Sequence, residues 1–325
     1  MVAGEVLQPF SYEAAELGPY DVEIGITHCG LCHSDIHLID NDWGMSAYPL
    51  VPGHEIVGTV RAAGPAAGGF KPGQRVGVGW QRSSCLACEW CLRGKETCCA
   101  RQEATCVGHH GGFATAIRTD SRFVYPIPEG LPSAAAAPLL CAGLTVYTPL
   151  RLDAVAASRV GVIGIGGLGH LAILFARAFG CEVTAFSTSP AKEAEALRLG
   201  ARHFVDSRDP ARMAAASGSL DLLLSTVTTD LDWNTWLNLL RPMGVLTLVG
   251  ASPGPIAVTP FGLILGQKTI RGSAIGNRST MEEMLRFATL HGIAAQAELM
   301  PMSEVNAAIG RVRDNQARYR VVLVN

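Results

Sequence analysis

The feature that most constrains the fold is a glycine-rich turn, Gly164-Ile165-Gly166-Gly167-Leu168-Gly169. The apolar run RVGVIGI (159–165) before it predicts a buried strand, and GLGHLAILFARAFG (167–180) predicts a helix that ends at a glycine. Such a turn could simply pack strand against helix, but three glycines at this spacing favour a backbone that approaches a pyrophosphate at a helix N-terminus. The candidate contacts are Gly164, Gly166, Gly167, Leu168 and Gly169.

The rest of the chain divides near residue 140. Before it, short strand-like runs alternate with turns, and the tail from about residue 279 returns to a helix and a strand. After residue 140, apolar strands alternate with helical patterns, which predicts a doubly wound parallel sheet. The further strands predicted there are CEVTAFS (181–187), LDLLLSTV (220–227), GVLTLVG (244–250) and TIRGSAIG (269–276). The strands predicted in the first half are VEIGIT (22–27), EIVGTV (55–60) and QRVGVG (74–79).

The end of the second strand of this sheet bears on which dinucleotide binds. The stretch from Phe186 to Lys192 has no carboxylate, and Glu182 lies at the opposite end of the strand. NAD sites usually carry an acid there to accept bonds from the ribose. Helix capping would account for Ser189, but not for the missing acid. We therefore expect NADP(H), with its 2′-phosphate held by Ser187, Thr188, Ser189 and Lys192.

Composition excludes several classes of partner. The 325 residues include 26 basic and 28 acidic ones without a block of like charge, which argues against binding to nucleic acid or to an anionic membrane surface. Apolar runs are interrupted by Gly, Pro or charge before the roughly 18 residues that a membrane span needs. The first ten residues, MVAGEVLQPF, lack the pattern of a secretory signal. We expect a cytoplasmic protein with a small-molecule partner.

Five of the ten cysteines fall between residues 85 and 99. Four thiolates on one loop suit tetrahedral Zn²⁺ with no open position, which is typical of a structural site. A disulfide-bonded or redox-active loop is the alternative, and it is disfavoured because a polar loop without a core needs something to order it and the expected compartment is reducing. The candidates are Cys85, Cys88 and Cys91, with either Cys98 or Cys99 as the fourth ligand.

A second group of potential ligands is dispersed along the chain. Cys32 follows the VEIGIT strand, His54 follows a YPLVP turn, and Cys141 lies in LLCAGLTVYTPL. Each has an ordinary explanation as a core or turn residue. Together, two thiolates and one imidazole form a typical catalytic zinc set with one position left for substrate.

With these motifs, the chain resembles the zinc-dependent medium-chain alcohol dehydrogenases, most closely the cinnamyl alcohol dehydrogenase-like branch that includes bacterial NADPH-dependent aldehyde reductases. The resemblance spans nearly the whole chain. The residues that carry it are HCGLCHSDIH (28–37), NDWGMSAYPLVPGHEIVG (41–58), the cysteines of 85–99, PLLCAGLTVYTPL (138–150), GIGGLGH (164–170), STSPAK (187–192) and GSAIG (272–276).

The resemblance implies a role for each matching residue. Cys32, His54 and Cys141 would hold a catalytic zinc, and Cys99 would complete the structural site. Glu55 would be an outer or alternate ligand, and Asp35 would support the imidazole. Ser34 would contact the reacting oxygen of the substrate, and His37 would stand at the solvent end of a proton relay. Cys29 is not a ligand in the family pattern.

The chain also departs from the family. Its N-terminus is about ten residues shorter, so the first strand is expected to be absent or rebuilt. Two aromatic positions of the plant substrate pocket are replaced, one near Ala104 and the other by Ala274, with Ile275 following. Trp43 remains as a candidate pocket wall. We expect a roomy, weakly discriminating pocket.

The resulting hypothesis is an NADP(H)-dependent, zinc-dependent alcohol dehydrogenase or aldehyde reductase with two zinc ions per chain, forming a homodimer. The resemblance implies a GroES-like, β-rich catalytic domain over residues 1–140, completed by 277–325, and a Rossmann domain over 141–276. Two alternatives stay open. One is a polyol dehydrogenase, and the other is a non-catalytic NADPH-binding zinc protein that acts as a redox sensor.

Overall fold

The computed structural model describes residues 3–4 and 6–325. Its strands, in chain order, are β1 (Asp21–Leu31), β2 (Glu55–Ala63), β3 (Arg75–Val78), β4 (Gln81–Ser83), β5 (Glu103–Ala104), β6 (Ala116–Asp120), β7 (Val124–Pro126), β8 (Arg159–Ile163), β9 (Glu182–Ser187), β10 (His203–Asp206), β11 (Leu220–Ser225), β12 (Leu240–Leu248), β13 (Thr269–Gly272), β14 (Ala297–Pro301) and β15 (Arg320–Val324).

The α-helices are α1 (His33–Asp40), α2 (Glu89–Leu92), α3 (Ser133–Pro138), α4 (Leu144–Asp153), α5 (Gly169–Ala178), α6 (Glu193–Leu199), α7 (Pro210–Ala215), α8 (Trp233–Leu239), α9 (Pro260–Ile264), α10 (Arg278–Leu290) and α11 (Val305–Arg313). A π-helical segment, Leu139–Gly143, lies between α3 and α4. Residues 6–18 contain neither helix nor strand.

The chain forms two compact units, one of residues 1–144 and 276–325 and the other of residues 145–275. The first unit is built on a seven-stranded sheet in the order β14-β15-β1-β2-β3-β7, with β6 also paired to β1. Valines and isoleucines of β1, β2 and β3 form its buried core, as the alternating patterns predict. The central strand β1 pairs with β2, β6 and β15, so its C-terminal end is fixed from both sides.

The second unit contains a six-stranded parallel sheet in the order β10-β9-β8-β11-β12-β13. This order belongs to doubly wound dinucleotide-binding folds, in which ligands bind at the carboxyl ends of the strands. The predicted strands at 159–165, 181–187, 220–227, 244–250 and 269–276 are confirmed to within a few residues. The pattern gave no indication of β10. The predicted fold class is confirmed as far as the sheets define it, with one β-rich unit and one doubly wound parallel sheet.

The sequence pattern predicts no apolar run long enough to span a membrane, but the structure contains one continuous helical segment of that length. Ser133–Asp153 is long and apolar enough to cross a membrane by length and composition alone. The sequence pattern predicts that glycine, proline or charge interrupts every such run, yet this helical segment continues through Pro138, Gly143 and Pro149. Because 78% of its most apolar window is buried inside the protein, the segment has the character of a core helix.

Candidate metal centres and dinucleotide site

The first candidate metal centre is organised by a buried carboxylate at the start of α1. Asp35 is fully buried, and its Oδ2 accepts the N–H of Cys32 at 2.9 Å, which closes the first turn of the helix. Its Oδ1 accepts the N–H of Gly53 at 2.9 Å and lies 2.8 Å from Nδ1 of His54. One side chain therefore ties the end of β1 to the turn that carries His54.

Four buried side chains meet at this point. Cys32, His54, Glu55 and Cys141 each offer one ligand atom, and these atoms all lie within 4.8 Å of one another. Within the described part of the chain, Nε2 of His54 and Oε2 of Glu55 are buried without a hydrogen-bond partner. Because buried polar atoms are normally paired, these two favour an ion as the missing partner. Two sulfurs, one imidazole and one carboxylate suit Zn²⁺.

The ionisable side chains of this cluster shift one another's pKa values. The hydrogen bond from Cys141 lowers the pKa of Cys32 well below its usual value, and the same contact raises the pKa of Cys141. Burial opposes protonation of His54, but the charges of Asp35 and Cys141 outweigh burial and raise its pKa. The cluster thus holds one thiolate readily, and an added cation would favour a second.

Glu55 has a cationic partner that the sequence did not reveal. The guanidinium of Arg320, in β15, donates to Oε1 of Glu55, and both residues are buried. Burial raises the pKa of Glu55 to about 7, although the charge of Arg320 acts in the opposite direction. The second oxygen of Glu55 is left for another partner.

The predicted relay residues lie on α1. Ser34 and His37 are one turn apart and share a helix face, and Oγ of Ser34 lies 3.7 Å from Sγ of Cys32. Nδ1 of His37 lies 2.7 Å from Oδ2 of Asp42. The sequence reasoning did not identify Asp42 as a partner of His37.

Two further residues at this centre were missed. The ring of Trp80 stands edge-on to His54, with centroids 4.9 Å apart, and contacts Trp43 at 6.3 Å. Trp43, the predicted pocket wall, is itself 5.0 Å from the ring of His37. Cys106 is fully buried beside Asp35 and His54. Neither Trp80 nor Cys106 belongs to a recognisable motif, and only the tertiary structure brings them here.

The second candidate metal centre lies on the loop between β4 and β5. The Sγ atoms of Cys85, Cys88, Cys91 and Cys99 all lie within 4.8 Å of one another, whereas Cys98 is exposed and outside this set. The N–H groups of Ala87 and Cys88 lower the pKa of Cys85 to about 5, so this thiol ionises easily. Four sulfurs in this arrangement fit a tetrahedral ion.

The glycine-rich turn connects β8 to α5. Gly164 has φ +86°, and a Cβ on Gly169 would lie 1.9 Å from the carbonyl oxygen of Gly164. Both positions therefore require glycine. A Cβ on Gly166 would meet no atom within 4 Å, so a ligand can approach the backbone there. Gly167 and Leu168 complete the turn before α5 begins.

The predicted phosphate-contacting residues follow β9. Ser187 is buried, and its Oγ accepts the N–H of Ser189 at 3.1 Å, while Thr188 is exposed. Nζ of Lys192 donates to the carbonyl of Ile165 at 2.7 Å, which brings this cation to the glycine-rich turn. The pocket candidates Ala274 and Ile275 follow β13, and the carbonyl of Ile275 accepts a bond from Thr148.

Comparisons with known proteins agree with this geometry. Residues 18–129 match the alcohol dehydrogenase GroES-like domain, and residues 167–289 match the zinc-binding dehydrogenase family. The chain is 45% identical over 318 residues to "Aldehyde reductase AdhA" of Synechocystis sp., covering 98% of this chain and 95% of that protein. The chain belongs to the zinc-binding alcohol dehydrogenase family.

Solved structures of this family superpose closely. A cinnamyl alcohol dehydrogenase from Sorghum bicolor aligns with a TM-score of 0.94 at 42% identity, over 98% of this chain and 94% of that one. A structure of CAD from Helicobacter pylori complexed with NADP(H) aligns with a TM-score of 0.92 at 34% identity, over 99% and 95% of the two chains. The predicted family is confirmed, including its cinnamyl alcohol dehydrogenase-like branch.

Proposed function

We propose that the protein is an NADP(H)-dependent alcohol dehydrogenase that interconverts primary alcohols and aldehydes. The observation that carries this proposal is the buried group of Cys32, His54, Glu55 and Cys141, in which Nε2 of His54 has no hydrogen-bond partner among the described residues. Relatives with the printed names aldehyde reductase and cinnamyl alcohol dehydrogenase support the same reaction class.

The proposed enzyme holds two zinc ions per chain. Cys32, His54 and Cys141 would bind the catalytic ion, with Glu55 as an alternate ligand, and Cys85, Cys88, Cys91 and Cys99 would bind the structural one. When bound, zinc supplies Lewis-acid polarisation of the carbonyl, and NADPH supplies the hydride. Asp35 fixes the orientation of the imidazole by holding Nδ1 of His54, so Nε2 faces the two thiols.

Proton transfer is assigned to the exposed side of α1. Ser34 would exchange a proton with the substrate oxygen, and His37 would exchange it with solvent. Asp42, with Oδ2 at 2.7 Å from Nδ1 of His37, orients the ring. Ser34 and His37 share a helix face, which supports this order.

The cofactor is assigned as NADP(H) on the residues after β9. Ser187, Thr188, Ser189 and Lys192 supply three hydroxyls and a cation, and β9 itself ends without a carboxylate. Trp43 and Trp80, which lie beside the rings of His37 and His54, are assigned to the substrate pocket. Ala274, at a position that is aromatic in the plant enzymes, favours broad use of aromatic and aliphatic aldehydes.

The test combines metal content with activity. We expect two zinc atoms per chain by mass spectrometry and reduction of several aldehydes with NADPH. Cys32→Ser should retain about one zinc and lose nearly all turnover, whereas Cys29→Ser, a buried cysteine outside the predicted ligand set, should retain both. Preference for polyol oxidation would indicate the alternative dehydrogenase. Two bound zinc ions without turnover on any alcohol or aldehyde would favour a redox sensor and contradict the proposal.

A homodimer is proposed through the second unit. Phe261, Ile264 and Leu265 occupy one face of α9 and its last turn, and they are 68%, 66% and 72% exposed. Met243, bonded to Gly266 through its N–H, adds a fourth exposed apolar side chain. The sheet ends at β13 on this side. An apolar patch beside a free sheet edge is typical of a self-association surface.

Light scattering should give twice the chain mass for the wild type, and Leu265→Glu should give a monomer. Leu290→Glu, an exposed leucine on α10, is the matched control and should stay dimeric. A monomeric wild type would contradict the assignment. We also propose a cytoplasmic location, because all ten cysteines are free of disulfides and both metal sites need reduced thiols.

A further inference from the structure

The strand next to β9 places an acid beside the proposed phosphate site. Asp206, the last residue of β10, is the Cα partner of Ser187, the last residue of β9. The N–H of Ser207 then donates to the carbonyl of Ser187 at 3.0 Å, which holds the following loop against β9. A carboxylate therefore stands one strand away from Ser187, although the sequence of β9 contains none at that end.

The charge of this acid is compensated locally. Oδ1 of Asp206 accepts the N–H of Arg208 at 3.0 Å and its Nε at 3.4 Å. The backbone N–H of Arg208, followed by its guanidinium, lowers the pKa of Asp206. Asp206 is thus ionised at neutral pH, and without Arg208 its charge would repel an approaching phosphate.

The same contact leaves Arg208 equipped to bind an anion. The side chain is 61% exposed, and it contacts Asp206 through Nε. The two terminal nitrogens of a guanidinium can then donate in parallel to phosphate oxygens, a geometry in which Arg binds phosphate strongly. Arg208 follows the carboxyl end of β10, and Lys192 follows that of β9, so the two cations lie on adjacent crossovers of the sheet edge where ligands bind.

We propose that Arg208 is a second cation for the 2′-phosphate of NADP(H), and that Asp206 is the residue that positions it. This inference rests on the proposed use of NADP(H). It adds a specificity-determining residue from β10 to the serines and lysine that follow β9. It also explains how an acid can stand next to Ser187 without selecting NAD(H).

The test measures binding rather than turnover. Isothermal titration calorimetry with the zinc-loaded protein compares adenosine 2′,5′-bisphosphate with 5′-AMP, which lacks only the 2′-phosphate. Arg208→Ala should weaken the bisphosphate on the order of tenfold and change 5′-AMP less than twofold, because charge-assisted bonds to the 2′-phosphate are lost. Arg202→Ala is the matched control, since this exposed arginine precedes β10 at the opposite end of the strand and pairs with Glu182.

A second substitution tests the part played by Asp206. In Arg208→Ala the carboxylate keeps the backbone N–H of residue 208 but loses its guanidinium partner, so adding Asp206→Asn should recover part of the bisphosphate affinity while leaving 5′-AMP unchanged. A purely structural role of the pair would not produce a recovery specific to the phosphorylated ligand. Absence of any recovery would overturn the role assigned to Asp206.

The remaining outcomes separate this inference from the cofactor assignment. A wild type that binds both ligands equally would overturn the use of NADP(H), and Arg208 with it. A wild type that prefers the bisphosphate, and keeps that preference in Arg208→Ala, would overturn the role of Arg208 alone. Equal weakening of both ligands would assign Arg208 to the adenine ring and overturn the phosphate contact.

Discussion

Oδ1 of Asp35 lies 2.8 Å from Nδ1 of His54, and both side chains are fully buried. The same carboxylate accepts the backbone N–H groups of Cys32 and Gly53. It therefore connects the segments that carry two of the proposed zinc ligands, and it determines which nitrogen of His54 faces the other ligands.

Asp35→Asn should weaken the catalytic zinc site about 10–100-fold, as is usual for loss of a carboxylate that supports a metal-bound histidine. Zinc release to a chromophoric chelator measures this, with the four-cysteine site as an internal reference that should be unaffected. Asp40→Asn, on the same helix and paired with Arg313, is the control. Equal zinc retention in both variants would show that Asp35 only caps the helix.

Cys88→Ser should lower Tm and expression yield, because binding of structural zinc is coupled to folding. Activity should disappear only as the protein unfolds. Cys98→Ser removes the neighbouring exposed thiol, which lies outside the cluster, and should change neither property. If Cys88→Ser abolished activity at an unchanged Tm, the four cysteines would have a catalytic role.

His37→Ala should slow turnover by roughly 10²–10⁴-fold where proton transfer limits the rate, and it should change the pH profile at normal zinc content. Asp42→Asn should produce a smaller change of the same kind, since it removes only the partner of Nδ1. His203→Ala, which removes an exposed histidine of β10 that pairs with Glu182, is the control. An unaltered rate and pH profile in His37→Ala would remove His37 from the relay.

Lys192→Ala should raise KM for NADPH about tenfold and leave KM for NADH nearly unchanged, because a charge-assisted bond to the 2′-phosphate is lost. Ser187→Asp should have a larger effect, since a carboxylate repels the phosphate and accepts bonds from the ribose of NADH. The readout is the NADPH/NADH ratio of kcat/KM. Lys268→Ala is the control, because Nζ of Lys268 also donates to a backbone carbonyl. A wild-type ratio below one would refute the cofactor assignment.

Asp221 should make stability of the second unit depend on pH. Burial opposes its ionisation, but the N–H of Arg159 and the guanidinium of Arg241 lower its pKa below the usual 3.8. Its stabilising contribution is therefore complete above about pH 4 and is lost as the pH falls through the lowered pKa. Asp221→Asn should cost about 1.5 kcal/mol at pH 7. The difference from wild type should shrink below pH 4, as followed by thermal melts, with exposed Asp314→Asn as control.

The sequence predicts those parts of the candidate sites whose residues lie close together along the chain. The spacing of Cys85, Cys88, Cys91 and Cys99 and the glycines of 164–169 each lie on one short segment, and the structure brings each group together. Arg320 and Asp206 could not be assigned in this way. Arg320 meets Glu55 only because β15 returns beside β1, and Asp206 meets Ser187 only because β10 pairs with β9. Neither strand pairing can be predicted from the residues of the strands themselves.

Local sequence also fails to predict that the helical segment of α3 and α4 continues through two prolines. Proline normally ends a helix because it lacks an N–H, yet Pro138 and Pro149 lie within one helical segment. A π-helical turn at Leu139–Gly143 follows Pro138 and carries Cys141. Burial of most of the segment supplies packing energy that local propensity lacks, and propensity alone cannot reveal it.

The pairing of β1 with β15 has a consequence for synthesis on the ribosome. His28 and Val324 are neighbours in the sheet although nearly the whole chain separates them, whereas all six strands of the Rossmann sheet lie between residues 159 and 272. The second unit can therefore fold while the nascent chain still lacks β15 and Arg320. Until those residues emerge from the ribosome, the sheet of the first unit lacks β15, and Glu55 lacks its partner Arg320 beside Cys32 and Cys141. We expect that zinc is captured late and that zinc-poor growth traps the first unit rather than the second.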